Sequence, residues 1–203
     1  MSRRSGILWA VASAMTLAGC LFHDAPPPRY FAPPSALTTA DDPLPAPAPA
    51  TVLVRLRRLR AASYLGEQIA WRASDVERGL YEQRRWTEFP SRYVERAMVQ
   101  ALDRTPGVRR VDSGHVPTLD LELVAFDEVL APAHEADVEI VASLRDAEQG
   151  VIFDRTFVAR RAIPDAEPAS VARAMGGALD EVVTQIAAQV AVEAPRPTPR
   201  TAR

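Results

Sequence analysis

Few residues in this chain have the chemistry for catalysis or metal binding, and their spacing does not bring them together. The histidines are His23, His115 and His134, and none has a cysteine or a second histidine at the spacing of metal ligands. Four acidic residues have the chemistry of general acids and bases: Asp120, Glu122, Asp137 and Glu139. They alternate with apolar residues, which favours the solvated face of a strand. No nucleophile elbow or phosphate-binding glycine loop is present. We therefore predict no enzyme, no metal and no cofactor.

The only cysteine, Cys20, lies at the end of an apparent export signal. It directly follows Leu17-Ala18-Gly19, after Arg3, Arg4 and an apolar run from Ile7 to Leu17. A charged start, a short apolar run and small residues before a cleavage point are typical of export signals. The run spans 11 residues, whereas a membrane-spanning helix needs roughly 20. We therefore predict a cleaved signal rather than a transmembrane anchor.

The cysteine at this position resembles the acylation site of bacterial lipoproteins. The resemblance implies cleavage before Cys20 and attachment of fatty-acyl chains such as palmitate to that residue. Each buried methylene contributes ~0.8 kcal/mol, so several chains would hold the protein firmly. The next residue is Leu21 rather than aspartate, which by the sorting rule of such proteins implies the outer membrane. The protein would then extend into the periplasm.

Composition limits the possible partners and the sources of stability. The net charge of −2 argues against nucleic acid as a main partner. Because the single cysteine would be acylated, no internal disulfide can form, and stability has to come from a packed core.

The chain divides into a signal at 1–19, an acylated cysteine with a proline-rich spacer at 20–50, a folded domain at 51–193 and a disordered tail at 194–203. The spacer holds nine of the 18 prolines, which disfavours a helix or a central strand. Fully extended, it would reach on the order of 90 Å. The aromatic pair Tyr30-Phe31 interrupts the spacer, and we expect it to dock on the folded domain.

The first half of the domain reads as strands followed by a helix. Alternating or apolar segments predict strands at 52–56, 68–73 and 80–85, with a shorter one at 108–111. A helix is predicted after Pro90, with Ser91 as its N-cap and Pro106-Gly107 after its end. Its apolar stripe comprises Val94, Ala97, Met98, Ala101 and Leu102.

The second half reads as a hairpin and a long helix. Alternation at 119–123 and 137–144 predicts two strands, and 146–150 a turn leading into a third strand at 151–160. Asp165 and Pro168 would begin a final helix of about six turns. In this helix, Gly176-Gly177 indicates close packing on the sheet in preference to a hinge. The fold class is therefore α/β, a mixed β-sheet flanked by two main helices.

Two segments combine arginine with aromatic residues, as protein interfaces do. One contains Arg55, Arg57, Arg58 and Arg60 before Tyr64-Leu65. The other is Arg84-Arg85-Trp86, which leads to Phe89-Pro90. The alternative interpretation is a strand edge with extended arginines and a tryptophan that fills the core. Both interpretations stay open at this point.

The order of these pieces resembles the ABC-type transport auxiliary lipoprotein family. The resemblance rests on an aromatic pair after the acylation signal, a valine-rich strand, and the Tyr64-Leu65 step. It continues with Ile69-Ala70-Trp71-Arg72, Arg85-Trp86 before a helix, and an alanine-rich closing helix. It implies a domain similar to anticodon-binding-like folds and the N-terminal domain of TolB.

The resemblance also implies a role without catalysis. The lipoprotein would dock a periplasm-spanning MCE-domain protein at the outer membrane and thereby serve an inner-membrane ABC transporter that moves phospholipid. The candidate interface is Tyr64, Leu65, Arg85 and Trp86. The alternative is a lipid carrier with its own acyl-chain cavity between the helices. Direct phospholipid binding and a homo-oligomer stay open.

Overall fold

The computed structural model describes residues 26–39, 52–57 and 59–195. The predicted signal, Cys20, part of the predicted spacer and residues 196–203 lie outside them. Within the described residues the chain forms, in order, β1 (Arg29–Phe31), α1 (Ala36–Thr39), β2 (Val52–Leu56), β3 (Arg60–Ala61), β4 (Gln68–Arg72), β5 (Arg78–Trp86), α2 (Pro90–Arg104), β6 (Val108–Arg110), β7 (Thr118–Val129), β8 (Glu135–Arg145), β9 (Val151–Ala162) and α3 (Pro168–Glu193). The predicted mixed sheet with two main helices is confirmed.

Strand β7 organises the sheet because it has neighbours along both sides. On one side it pairs antiparallel with β8, and β8 pairs antiparallel with β9. On the other side it pairs in parallel with β2, β3 and β4 in turn. Strand β5 pairs antiparallel with β4, and the short strand β6 lies parallel to β2. The sheet is therefore mixed, with its longest strands at β7, β8 and β9.

A bulge in β7 changes which residues face the helices. The pairing with β8 shifts between Leu123 and Ala125, which makes Val124 the extra residue. Before the bulge, Leu119, Leu121 and Leu123 are buried on the helix side. After it, Phe126 is buried on that side, opposite Val138. Asp127 is thereby turned to the opposite face.

Both long helices cover the same face of the sheet. Helix α3 packs on β8 and β9, and α2 packs against α3. The core between them includes Ile140, Met175, Leu179, Val182 and Ile186, all fully buried. Trp86 extends this core at 1% exposure, with its ring edge-on to Phe126 and Tyr93 at centroid distances of 5.4 and 6.3 Å. The opposite face of the sheet carries Asp120, Glu122 and Asp154.

The helix starts differ from the predicted caps. Helix α2 begins at Pro90, with Phe89 in the N-cap position, so the prediction that Ser91 is the N-cap is wrong. A proline suits this first helical position because its fixed φ matches the helix and it has no N–H to satisfy. Helix α3 likewise begins at Pro168 after Glu167. Asp165 does not occupy the N-cap position, and its Oδ1 instead accepts a hydrogen bond from the Glu167 N–H at 2.9 Å.

Part of the predicted spacer is folded onto the domain. Strand β1 pairs in parallel with β5, which places Tyr30 beside Arg85 and Phe31 beside Trp86. The prediction that this aromatic pair docks is therefore confirmed. The helix α1 follows, contrary to the prediction that the stretch forms no helix, and its four residues contain no proline. We call residues 29–39 the strap.

The strap is fixed to α3 by a close approach and two hydrogen bonds. A Cβ atom on Gly176 would lie 1.9 Å from the carbonyl oxygen of Pro34, so only glycine fits there. Asp180 accepts hydrogen bonds from the Ser35 hydroxyl at 2.6 Å and from the Ala36 N–H at 2.7 Å. The expected close packing at Gly176 is therefore observed, but its neighbour is the strap rather than the sheet.

Among the described residues, no helix combines the length and the hydrophobicity needed to cross a bilayer.

The two adjacent glycines of α3 give a matched test of strap docking. In Gly177→Ala the new methyl would meet only the Arg161 side chain at 3.7 Å. Alanine should therefore raise the free energy of unfolding by up to about 1 kcal/mol through helix propensity. Gly176→Ala should give no such gain and should make the strap cleavable by trypsin at Arg29. Equal stabilisation with equal protease resistance in both variants would contradict the observed contact.

The burial of Trp86 predicts a large effect of its removal on stability. Trp86→Ala should lower the free energy of unfolding by about 3–5 kcal/mol, because it leaves a cavity beside Phe126 and Tyr93. The control is Phe89→Ala, since Phe89 is 52% exposed and its loss should cost within about 0.5 kcal/mol. Denaturant titration measures both values. Similar losses in the two variants would contradict this packing.

Candidate partner interface

The four residues of the predicted interface lie together at the start of β4 and the end of β5. Tyr64 and Leu65 form the turn before β4, whereas Arg85 and Trp86 end β5. The Trp86 N–H donates to the Glu67 carbonyl at 2.6 Å, which joins the two segments. Arg85 lies opposite Gln68. The sequence therefore identified residues that the fold brings to one place.

These four residues differ in their access to a partner. Trp86 and Leu65 are buried, at 1% and 7% exposure. The Arg85 side chain is 33% exposed, and its Nη1 lies 3.8 Å from a carboxylate oxygen of the half-exposed Glu67. Tyr64 is half-buried. Only Arg85 and part of Tyr64 can touch a partner directly, and Trp86 and Leu65 support them from below.

The hydroxyl of Tyr64 is held by the bulge in β7. It lies 3.0 Å from the carbonyl oxygen of Val124, the extra residue, and 3.0 Å from Oδ1 of Asp127. The Arg78 guanidinium stacks over the ring, 4.3 Å from its centroid. Burial, together with the negative charge of Asp127, raises the pKa of Tyr64 far above its usual value. Tyr64 is therefore a neutral hydrogen-bond donor that fixes the turn on β7.

Two buried aspartates face each other below Tyr64. Asp127 and Asp137 are paired across β7 and β8 and are at most 1% exposed. Three arginines compensate their charge: Arg78 binds Asp127 at 3.1 Å, Arg160 binds Asp137 at 3.2 Å, and Arg72 also binds Asp137. Burial raises the pKa of Asp127, and the positive charge of Arg78 opposes this rise. The expectation that Asp137 is solvated is wrong. Arg72, which β4 places over Asp137, shields its carboxylate from water.

A third buried acid, Glu128, follows Asp127 in β7 and lies on the other face of the sheet. Its carboxylate is 2.7 Å from Nε2 of His134 and 3.7 Å from Nη1 of Arg84. Arg84 stacks over Tyr81 at 4.3 Å. Burial, followed by the charge of Glu128, raises the pKa of Tyr81 to about 12. Charged pairs therefore lie on both faces of the sheet beside the candidate interface.

Sequence reasoning missed Asp127 and Glu128, together with the arginines that pair with them. Both acids follow the apolar run Leu123-Val124-Ala125-Phe126. Two adjacent acids in a strand point to opposite faces, so at least one has to face the core side. That position directly after an apolar run was the available signal for a buried ion pair.

On the face of the sheet opposite α2 and α3, the described residues form an open polar groove of about 460 Å³. Its lining includes Arg57, Arg60, Asp120 and Glu122. Arg57 pairs with Asp120 at 3.4 Å, and Arg60 pairs with Glu122 at 3.6 Å. The solvated-face interpretation is confirmed for these two acids. Its charged lining does not provide the apolar surroundings that an acyl chain would need.

The described part of the chain contains no group of three or more histidine, cysteine or acidic residues placed to hold a metal ion. His115 lies 3.0 Å from Glu148 on the surface, and His134 binds Glu128. Each of these two histidines therefore contacts a carboxylate rather than a second metal-ligating side chain.

Solved structures share this fold at low sequence identity. A protein from Xanthomonas campestris is 22% identical, with a TM-score of 0.68, and the alignment covers 81% of this chain and 96% of that one. An uncharacterised protein is 15% identical, with a TM-score of 0.58 and coverage of 81% and 97%. A hypothetical protein from Chlamydia trachomatis is 8% identical, with a TM-score of 0.50 and coverage of 71% and 98%. These similarities establish the fold.

A comparison with family models identifies the family of this chain. No curated protein matches it significantly. The model described as the ABC-type transport auxiliary lipoprotein component matches residues 36–187, from the end of the strap to the last turns of α3. The match covers most of the chain, and this protein therefore belongs to the ABC-type transport auxiliary lipoprotein family.

Proposed function

We propose that this protein is an outer-membrane lipoprotein, anchored through Cys20, that docks a periplasm-spanning MCE-domain protein of an ABC-type phospholipid transport system. Its role is binding rather than catalysis. The observation that carries the proposal is the family match over residues 36–187, which names an auxiliary lipoprotein of ABC-type transport. The acylation signal that ends at Cys20 supports the same role.

This sequence fits a transport component that leaves the energy-consuming step to another subunit. It contains no phosphate-binding glycine loop that would cradle ATP. An auxiliary component contributes by position instead: the acyl chains hold it at one membrane, and a surface of the domain receives the partner. The domain therefore needs a rigid binding surface and a firm anchor.

The candidate docking surface is the region around Arg85 and Tyr64. Arginine and tyrosine are frequent interface anchors because they combine apolar area with hydrogen bonding. The Tyr64 hydroxyl is held by the Val124 carbonyl and by Asp127. The hydrogen bond from the Trp86 N–H to the Glu67 carbonyl holds the neighbouring Arg85 beside the segment that leads into β4. These side chains are thus already positioned before a partner arrives, which lowers the entropic cost of binding.

The alternative role, a lipid carrier with its own acyl-chain cavity, has less support. The space between the helices and the sheet is filled by side chains such as Leu119, Leu123 and Ile140, all fully buried. The open groove on the opposite face is lined largely by charged residues. An acyl chain would require an apolar cavity, and opening one would mean separating α2 and α3.

Replacement of the acylated residue tests the anchor. Cys20→Ser should abolish incorporation of labelled palmitate and move the protein from the membrane fraction to the soluble periplasmic fraction. The control is wild-type protein, which should sediment with outer-membrane rather than inner-membrane vesicles in a density gradient. Unlabelled wild-type protein, or membrane association that survives in Cys20→Ser, would contradict the anchor.

Replacement of one surface arginine tests the docking surface. Arg85→Ala should reduce the affinity for the MCE-domain protein roughly tenfold or more, as loss of an arginine anchor commonly does. Folding should be preserved, because a partly exposed ion pair contributes about 0–1 kcal/mol. The matched control is Arg109→Ala, an exposed arginine on β6. Co-purification and thermal melting of both variants give the comparison, and equal affinities would place the interface elsewhere.

A further inference from the structure

We propose that the strap seats the domain directly on the membrane, with the β1 edge of the sheet against a phospholipid surface. The proposal rests on the acylation of Cys20 in the proposed function and adds the distance and orientation of the domain. The relevant surface, here called the strap edge, consists of the edge strand β1, Arg29–Phe31.

Because the strap is docked, the first residue attached to the domain lies close in sequence to the acylated Cys20. Strand β1 begins at Arg29, only nine residues after Cys20. A chain of this length spans at most about 30 Å, whatever its conformation. If the strap were free, the first anchored residue would be Val52, and the chain could reach roughly 100 Å. The strap therefore shortens the maximum reach about threefold.

Contacts with two elements of the domain attach the strap firmly. The Pro34 carbonyl lies against the bare Cα of Gly176, and Asp180 accepts two hydrogen bonds from Ser35 and Ala36. Pro33 and Ser35 are buried. The Thr87 N–H donates to the Phe31 carbonyl at 2.9 Å, which continues the β1 pairing. Contacts with both β5 and α3 thus hold the strap in one position.

The strap edge has the side chains that contact phospholipid headgroups. Tyr30 is 57% exposed, and an exposed aromatic ring prefers the membrane–water interface. Arg29 is exposed beside it and has no carboxylate partner among the described residues, while its guanidinium lies 5.3 Å from the Phe31 ring. A guanidinium donates in pairs to phosphate oxygens.

The single cysteine allows the membrane distance to be measured without cellular acylation. The mature chain, coupled through the Cys20 thiol to a maleimide lipid in a supported phosphatidylcholine bilayer, can be examined by neutron reflectivity. The wild-type protein layer should begin at the bilayer surface. A protein layer separated from the bilayer by a water layer would overturn the proposal.

Variants that release the strap should move the protein layer. Gly176→Leu cannot accommodate Pro34, and Asp180→Ala removes both hydrogen bonds without adding volume. In either variant the layer should broaden and shift outward, whereas Gly177→Ala should match wild type. Circular dichroism identifies any variant that has unfolded, and Asp180→Ala then serves in place of Gly176→Leu. Unchanged layers in folded variants would refute the role of the strap.

A tryptophan placed at either of two positions tests the orientation. On vesicles that contain phosphatidylcholine with a nitroxide headgroup, the added fluorescence of Tyr30→Trp should be quenched. The control is Val192→Trp near the end of α3, where the valine is 79% exposed, and it should not be quenched. The orientation would be overturned if both variants were quenched equally, or if Tyr30→Trp were not quenched. Either result would favour a protein partner at this edge. Because coupling bypasses acylation and the MCE protein, failure here leaves the proposed function intact.

Discussion

The bulge at Val124 in β7 is the constraint on which both the core and the candidate interface depend. It reverses the direction of the residues that follow, so Phe126 turns to the helices and Asp127 turns away from them. Phe126 then packs against Trp86, which ends β5 below the interface. Asp127 meets Tyr64, whose hydroxyl also reaches the carbonyl of the extra residue. One inserted residue thereby links the packing of the core to the position of the surface turn.

Buried charge is the second consequence of that bulge. Asp127 and Asp137 face each other in low dielectric, and such a pair is tolerable only with cations close by. Arg72 and Arg78 come from the β4–β5 hairpin, and Arg160 comes from β9. Removal of one partner would leave an uncompensated buried charge, so these pairs fix the hairpin against β7 more than they add net stability. These pairs join the hairpin that carries Arg85 to the rest of the sheet.

Local patterns allowed the strands and helices to be predicted, because period-2 and period-3.6 spacing depend on nearby residues. The alternation of Leu119, Leu121 and Leu123, and the long apolar stripe of α3, had this local signal. The burial of Asp137 had none, since it depends on Arg72 from a distant strand. Docking of Tyr30-Phe31 was predicted, but the attachment of the rest of the strap was missed for a similar reason. Its prolines indicated a spacer, whereas its attachment depends on Gly176 and Asp180, about 140 residues later. For the candidate interface, the sequence indicated residues that lie close together in the fold, but only the tertiary packing separates the partly exposed Arg85 from the buried Trp86.

The central claim is that a lipid-anchored domain presents a preformed surface to an MCE-domain protein. The most direct measurement is photo-crosslinking in the native envelope, with a photoreactive amino acid at position 85 and identification of the products by mass spectrometry. The account predicts a crosslinked MCE-domain protein, and no such product when the photoreactive residue replaces Arg109. Crosslinks from position 85 only to lipid or to other copies of this chain would contradict the claim.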